Sequence, residues 1–519
     1  MAAFAASRVP MNQSERTTPT WILLGAIATV ASIEFIQNGM LNFASSYVMG
    51  GVGAGPEEYS LAAMAYASVA ILSLFMHTWM VERVGYRNLV LLSLLAFAGG
   101  GLICGGSGSA SSFILGRAVQ GAGGATFLTA GRLLVNMREG AAKQTSLVLF
   151  SYALLAGSTL GPLLGAWLLR NTDWRWLFWG MLPLLILPAL VALFAFPGKT
   201  VEPEDETRFH PMAIGLLIIF VFLVQSLIQR VPFAFFGRTE QLHLALWAAL
   251  AAGLLFIATH RWTPTDQHRW RSLSTWTYLT GLVQYFICYF VLASNSFILP
   301  VLVQQGLGFD VPTSAGLLTV TFLASMGFCP LFIWVYFKLC SRFSKQITQV
   351  IAALALAAFG FCMHGVAPAS TLGQLGRILI LNGCFLVFFI SPVAISTFSQ
   401  VDSDHFGHAY QSKNIARQLA LSLAVAFSTI FLQWRNALHF NRLGERISQF
   451  NAAYQQTFAQ LRAMMPAQDP RLINQLLTLR MQRQTVLMSC LEYYQLLQWL
   501  GLAMAAVITL RLATRHLSR

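Results

Sequence analysis

A carboxylate at position 34 stands inside a long apolar run, Ile33-Glu34-Phe-Ile-Gln37-Asn38-Gly-Met-Leu-Asn42, and is the group in this chain best suited to proton chemistry. Held charged among hydrocarbon side chains it costs roughly 2.5–3.5 kcal/mol on insertion scales, so it must either meet a cation or take up a proton. Burial favours the protonated form of a carboxyl and a neighbouring cation favours the ionised form. A conformational change that alternates these surroundings would bind and release a proton. Asn38 and Asn42 follow Glu34 at i+4 and i+8 and share its helical face. Facing a lumen, the three form a polar strip for a substrate; facing neighbours, they only hydrogen-bond to other helices. Both arrangements are open at this point.

Arg117 is the second such group, because a guanidinium at membrane depth requires a partner or a water-filled cavity. Glu34 is one available partner. Arg417 and Glu492 are weaker candidates, since both fall near expected helix ends, where long side chains reach toward the interface. Arg132 reads as an anchor at a helix end. The histidines His77, His260 and His364 are isolated, and no pair has metal-ligand spacing. The sequence contains no Walker motif for ATP, no nucleophile elbow and no His-Glu-x-x-His. An enzyme is therefore not expected, nor is a metal or an organic cofactor; a proton gradient is the expected energy source.

These groups need a scaffold, and composition identifies it. Of 519 residues, 56% are apolar and only 10% are charged, and the mean hydropathy is +0.62. A spanning helix takes roughly 20 mostly apolar residues. Such runs recur along nearly the whole chain and are far too long for barrel strands, so the expected class is an all-α polytopic membrane protein. Helices are expected near 21–48, 59–80, 88–107, 112–135, 145–169, 176–196, 212–229, 241–259, 276–303, 314–337, 347–366, 371–398, 411–434 and 488–511.

The net charge of +14 forms no basic stripe or tail, so nucleic acid is not the expected partner. With both termini cytoplasmic, about 20 Lys and Arg residues fall in or beside cytoplasmic loops and about 6 near short outer ones, as the positive-inside rule requires. Arg138, Lys143, Arg261, Arg269, Arg271, Lys338, Arg342 and Lys345 belong to the cytoplasmic groups. An inner (plasma) membrane location follows as an expectation. Residues 1–20 are polar and lack the apolar core and cleavage site of a secretory signal, so they read as a cytoplasmic tail. The seven cysteines lie mostly in apolar segments without a CxxC pair and read as packing residues.

Pro, Gly and charge density at 197–211 mark a linker. It follows a six-helix half (21–196) and precedes two inserted helices (212–259), a cytoplasmic loop (260–275) and a second six-helix half (276–511) with a short cytoplasmic tail (512–519). Within the second half, residues 435–487 form a polar, glutamine-rich stretch with Leu461, Leu472, Leu476 and Leu477 at helical intervals. This outer segment reads either as a solvated amphipathic hairpin or as a docking surface for a periplasmic adaptor.

The fifth helix carries Gly157-x-x-x-Gly161-Pro162-x-x-Gly165, with its glycines on one face, where two backbones can approach closely and Pro162 permits a bend. Together with Trp174-Arg175-Trp176, Arg117-x-x-Gln120-Gly121, Leu299-Pro300 through Gln304-Gln305, and Asn414-x-x-Arg417-Gln418, this resembles the fourteen-helix drug:proton antiporters of the major facilitator superfamily. The likeness extends to the inner-membrane pumps of tripartite multidrug systems. It implies a proton-coupled exporter of small amphipathic molecules and assigns proton coupling to Arg117, beside Glu34, which the cost of a buried carboxylate already singles out. The implied substrate cavity is lined by Gln37, Asn38, Asn42, Gln120 and Gln304, and the implied antiporter motif is Gly157, Gly161, Pro162 and Gly165.

The chain departs from the family pattern in two places. Thr78 and Glu82 stand where the cytoplasmic gate loop would have Gly and Asp, while Arg83, Gly85 and Arg87 fit it; the first helix also lacks the usual aspartate and Thr-x-Val-Asn. Rival readings are an importer or facilitator on the same fold, and a non-transporting receptor or assembly platform acting through 435–487.

Overall fold

A computed structural model describes residues 20–136, 140–195, 211–234, 239–259, 274–338, 344–398, 401, 406–445, 452–464 and 470–517. The expected linker before Pro211, the loop 260–273, the tail before Thr20, and Arg138, Arg261, Arg269, Arg271 and Arg342 lie outside the described residues. Among the described residues the chain is helical, with no strand.

The first half comprises α1 (Thr20–Phe43), α2 (Ser45–Val52), α3 (Pro56–Phe75), α4 (His77–Val84), α5 (Tyr86–Gly105), α6 (Ala110–Asn136), α7 (Gly140–Asn171), α8 (Trp176–Trp179) and α9 (Leu182–Ala195). Then come α10 (Pro211–Ala234) and α11 (Thr239–Thr259). The remainder comprises α12 (Trp276–Val301), α13 (Val311–Lys338), α14 (Ser344–His364), α15 (Leu372–Thr397), α16 (Phe406–Gly444), α17 (Ala452–Met464) and α18 (Pro470–Leu517). A π-helical turn, Leu302–Gly306, extends α12 just beyond Pro300. The end of the bundle where α1 begins is called its base, and the end where α1 finishes its top.

Thirteen helices among the described residues are long and apolar enough to cross a membrane. The expected fourth spanning segment is present as α6, whose 27 residues extend about 40 Å at 1.5 Å per residue. It falls short on apolarity alone, because its surroundings are protein instead of lipid. Its glycines let it press against two neighbours: a β-carbon on Gly121 would lie 2.4 Å from the Tyr66 carbonyl of α3, and one on Gly123 2.1 Å from the Ser93 carbonyl of α5.

There are two main apolar cores among the described residues, one within the first half and one mainly in the second that also takes in Phe43 and Ala166. One is built on Ile27, Met40, Phe97, Phe127 and Phe178, the other on Phe359, Phe385, Phe389, Tyr493 and Tyr494. The halves meet where α7 packs on α13 and where α3 packs on α16. Helices α10 and α11 pair with each other, and α10 lies along α3 and α16. Its attachment is polar: Ser422 donates to Gln225 Oε1 at 2.6 Å, and Gln229 Nε2 donates to Ser422 Oγ at 2.8 Å.

Two expected boundaries move. The helix expected at 411–434 is α16, which begins at Phe406 and continues to Gly444; the helix expected at 488–511 is α18, which begins at Pro470. The polar segment 435–487 is thus largely helical, made of two continued spans and α17. Polar side chains there end the apolar pattern without ending the helix, because in water a glutamine- and arginine-rich sequence still has good helix propensity.

Candidate functional site

Glu34 lies in the middle of α1 and is 1% exposed, so its charge is shielded from water and requires a partner within the protein. The partner comes from the other half. Arg417 Nη2 donates to both Glu34 oxygens at 2.8 Å, and Gln418 Nε2 donates to Oε1 at 3.0 Å. Arg417 is itself 2% exposed and stacks over the Phe35 ring at 5.5 Å. The expectation that Arg417 sits near a helix end is corrected: α16 starts a full turn earlier, which moves the guanidinium into the bundle.

Glu34 is therefore not the hydrogen-bonding partner of Arg117. Arg117 Nη1 donates to Gln120 Oε1 at 2.7 Å, one helical turn along α6, and its guanidinium lies 4.2 Å from the centre of the Tyr66 ring. Tyr66 is within electrostatic reach of Glu34, Arg117 and Arg417 and so stands between the two charged groups. Gln37, one turn above Glu34, is also 1% exposed, and neither of its amide atoms has a hydrogen-bond partner. A buried amide left so is costly unless a ligand or water completes it. Above it, Asn38 is half-buried and Asn42 exposed. Gln304 is half-buried in the π-helical turn that extends α12.

Below the pair, the base is closed by a ladder of contacts to α16. Asn414 Nδ2 donates to Thr129 Oγ1 of α6 at 3.0 Å, and Gln411 Nε2 lies 3.4 Å from His77 Nδ1 of α4. Arg132 of α6 faces the Phe406 and Tyr410 rings at 5.8 and 5.9 Å. It is thus not merely an anchor but a contact between halves. Burial pushes the His77 imidazole down to about 4, so it is neutral at physiological pH. At the neighbouring turn Gly85 has φ +81°, a left-handed conformation that admits glycine at little cost. Arg83 there is exposed over the Trp79 ring, while Glu82 and Arg87 are half-buried.

The glycine motif of α7 packs directly on the helix that carries Glu34. A β-carbon on Gly157 would lie 2.8 Å from the Ser32 carbonyl, and one on Gly161 2.7 Å from the Ile36 carbonyl. A β-carbon on Gly165 would lie 3.4 Å from the Met40 α-carbon, and one on Gly39 of α1 3.2 Å from Pro162 Cδ. The small-residue face thus holds α1 along α7 at backbone contact distance.

Glu492 belongs to a different place. It pairs with Arg435, and His439 Nε2 approaches it to 3.1 Å, joining α16 to α18 at the root of the helical extension. Both residues lie well within long helices, so the expected end-of-helix position is corrected for Glu492 as well.

Lys413 and the tyrosines around it escaped the sequence reading. Their signal was available: Tyr410, Gln411, Lys413, Asn414, Arg417 and Gln418 repeat at three- and four-residue spacing, a polar stripe in a long helix. All six are buried.

The sequence profile of the Major Facilitator Superfamily matches residues 27–425. The chain is 23% identical over 457 residues to the multidrug export protein EmrB of Escherichia coli K12, covering 85% of this chain and 86% of that one. It is 25% identical over 411 residues to the putative multidrug resistance protein MdtD of Salmonella paratyphi B, covering 77% and 84%. Among solved structures, a proton-dependent oligopeptide transporter superposes with a TM-score of 0.55 at 13% identity, covering 94% of this chain and 99% of that one. The human organic anion transporter MFSD10 superposes with a TM-score of 0.51 at 14% identity, covering 93% and 99%. A profile match over most of the chain, on an all-helical polytopic fold, shows that the protein belongs to the Major Facilitator Superfamily and is a multi-pass membrane transporter.

Proposed function

We propose that the chain is a proton-coupled exporter of small amphipathic molecules working by alternating access between two six-helix halves. The observation that carries this reading is the buried pair of Glu34 on α1 and Arg417 on α16, which ties one half to the other above the closed base. Protonating Glu34 removes the charge that holds Arg417 and Gln418, and the base is then free to open toward the cytoplasm. Substrate loads against Gln37 and Asn38. Release of the proton to the cytoplasm restores the pair and closes the base behind the substrate, which leaves through the top.

Support for export comes from the α1–α7 glycine interface and from the multidrug export proteins to which the chain is similar. The charge pattern of the loops supports cytoplasmic termini in an inner membrane, with the helical extension of α16, α17 and α18 outside as a surface for a periplasmic adaptor. Arg117, one ring away from Glu34 through Tyr66, is the second group of the coupling machinery.

The test is reconstitution into proteoliposomes with an imposed pH gradient. Fluorescent amphiphiles should move out of the alkaline compartment against protons, and collapse of the gradient should stop them. Movement of substrate in the same direction as protons would instead identify an importer. An unchanged rate without the gradient would identify a facilitator.

A further inference from the structure

Lys413 lies one turn below Arg417 on the same face of α16 and is 4% exposed. Its ammonium is 4.2 Å from the centre of the Tyr410 ring and 5.4 Å from that of Tyr285. A π face attracts a cation but leaves its charge uncompensated. Arg132 faces the other flank of this cluster, over Tyr410 and Phe406, with its buried Nε lacking a hydrogen-bond partner. Arg132 and Arg417 are both within electrostatic reach of Lys413, and among the described residues Glu34 is the one carboxylate that reaches it. That carboxylate is already held by Arg417 and Gln418. The interface between the halves thus sets three basic side chains, Lys413 and Arg417 buried and Arg132 half-buried, against a single acid and surrounds them with aromatic rings.

We propose that this surplus selects the substrate as it enters through the opened base, and that the transported molecule is an aromatic organic anion, a carboxylate or sulfonate, whose acidic group is taken by Lys413 and Arg132 on its way to Gln37 and Asn38. The inference rests on the proton-coupled export reading and narrows its substrate. An ammonium and a guanidinium supply the charge-assisted donors that such a group requires. The Tyr285, Tyr410 and Phe406 rings supply an apolar wall for its ring system. A cationic substrate would face the same three basic side chains, with no acid among the described residues around Lys413 left to receive it.

The chemistry also fixes an electrical signature. Exchange of one anion leaving for one proton entering carries two positive charges inward per cycle, whereas exchange of a monovalent cation for one proton is electroneutral.

The probes are radiolabelled naphthalenesulfonate and tetraphenylphosphonium, given to the full chain in proteoliposomes with a pH gradient and a potassium–valinomycin potential set independently. Naphthalenesulfonate should be exported, and a potential negative in the compartment it leaves should accelerate it. Lys413→Gln should raise its KM about tenfold, the scale of one lost charge-assisted contact, and Lys413→Arg should restore most of it. Lys413→Met takes the place of Lys413→Gln if the amide variant is not monodisperse. Direct binding of naphthalenesulfonate to the unmodified protein, quenched by competing benzoate and not by tetraphenylphosphonium, tests the selection without any variant. Export of tetraphenylphosphonium with no export or binding of naphthalenesulfonate would overturn the proposal and leave the exporter reading standing. Failure of both probes and of neutral amphiphiles to move with the gradient would overturn the exporter reading itself.

Discussion

Glu34 and Arg417 are 383 residues apart in sequence and 2.8 Å apart in space, and both side chains are buried. A buried ion pair of this kind contributes little net stability over an apolar pair, yet losing one member costs about 3–5 kcal/mol because the other charge is stranded. Such a contact is well suited to a two-state element, since protonation of Glu34 releases its partner without removing any atom.

Replacing Arg417 by Met should therefore shift Glu34 to its protonated form and hold it there. Infrared difference spectroscopy of the purified protein at neutral pH should show a protonated carboxyl band that is absent in the unmodified chain, and that Glu34→Gln abolishes. Gradient-driven transport should fall at least ~10-fold, the effect of about 1.4 kcal/mol on the driven step.

The glycine interface makes a second prediction. Gly161→Ala places a methyl 2.7 Å from the Ile36 carbonyl and 2.9 Å from the Gly39 α-carbon, both backbone atoms that cannot rotate away. Overpacking of this kind costs about 1–3 kcal/mol. A lower unfolding midpoint in detergent and a loss of transport are expected. Gly316→Ala, where nothing lies within 4 Å, should change neither.

The base ladder predicts a shift in conformational population. Thr129→Val deletes the hydroxyl that accepts from Asn414, a contact worth about 0.5–1.5 kcal/mol. In a background stripped of reactive thiols, a cysteine replacing buried Ala409 should then react with a membrane-impermeant maleimide roughly 2- to 10-fold faster from the base side. An unchanged rate would mean that the ladder does not set the closed population.

His77 gives a pH dependence, and its sign is definite. Burial lowers its folded value to about 4, below the usual 6.5, so the unfolded chain binds the proton more readily between those limits. The stabilisation is complete above about 6.5 and is lost progressively as pH falls toward 4. Between pH 7 and pH 5 the loss should be about 2 kcal/mol at most. The unfolding midpoint should drop over this interval, and His77→Gln should remove part of the drop.

Much of this was legible in the sequence, and the misses share a cause. Hydropathy located the spans because lipid imposes a minimum apolar length, and Glu34 was visible because nothing else in its run is charged. Arg417 was undervalued because the helix was begun at residue 411 instead of Phe406, which left it at an apparent end. Its polar neighbours recur at three- and four-residue spacing, but spacing alone does not say whether such a stripe faces water or a partner helix. Pairing across 383 residues is a property of how two halves dock, and no local pattern encodes it. Arg117 and Gln120 could be matched from spacing alone, being one turn apart on α6.

The central claim is that the charge on Glu34 couples proton entry to opening of the base, and Glu34→Gln tests it most directly. The amide keeps the side-chain shape and can still accept from Arg417 and Gln418, so the protein should remain folded in the membrane. Two rates are measured in proteoliposomes: efflux driven by a pH gradient, and gradient-free exchange of substrate across the membrane. The account predicts that gradient-driven efflux is lost while exchange continues, because alternating access survives without its proton. Gradient-driven efflux within about twofold of the unmodified protein, a difference under ~0.5 kcal/mol, would contradict it.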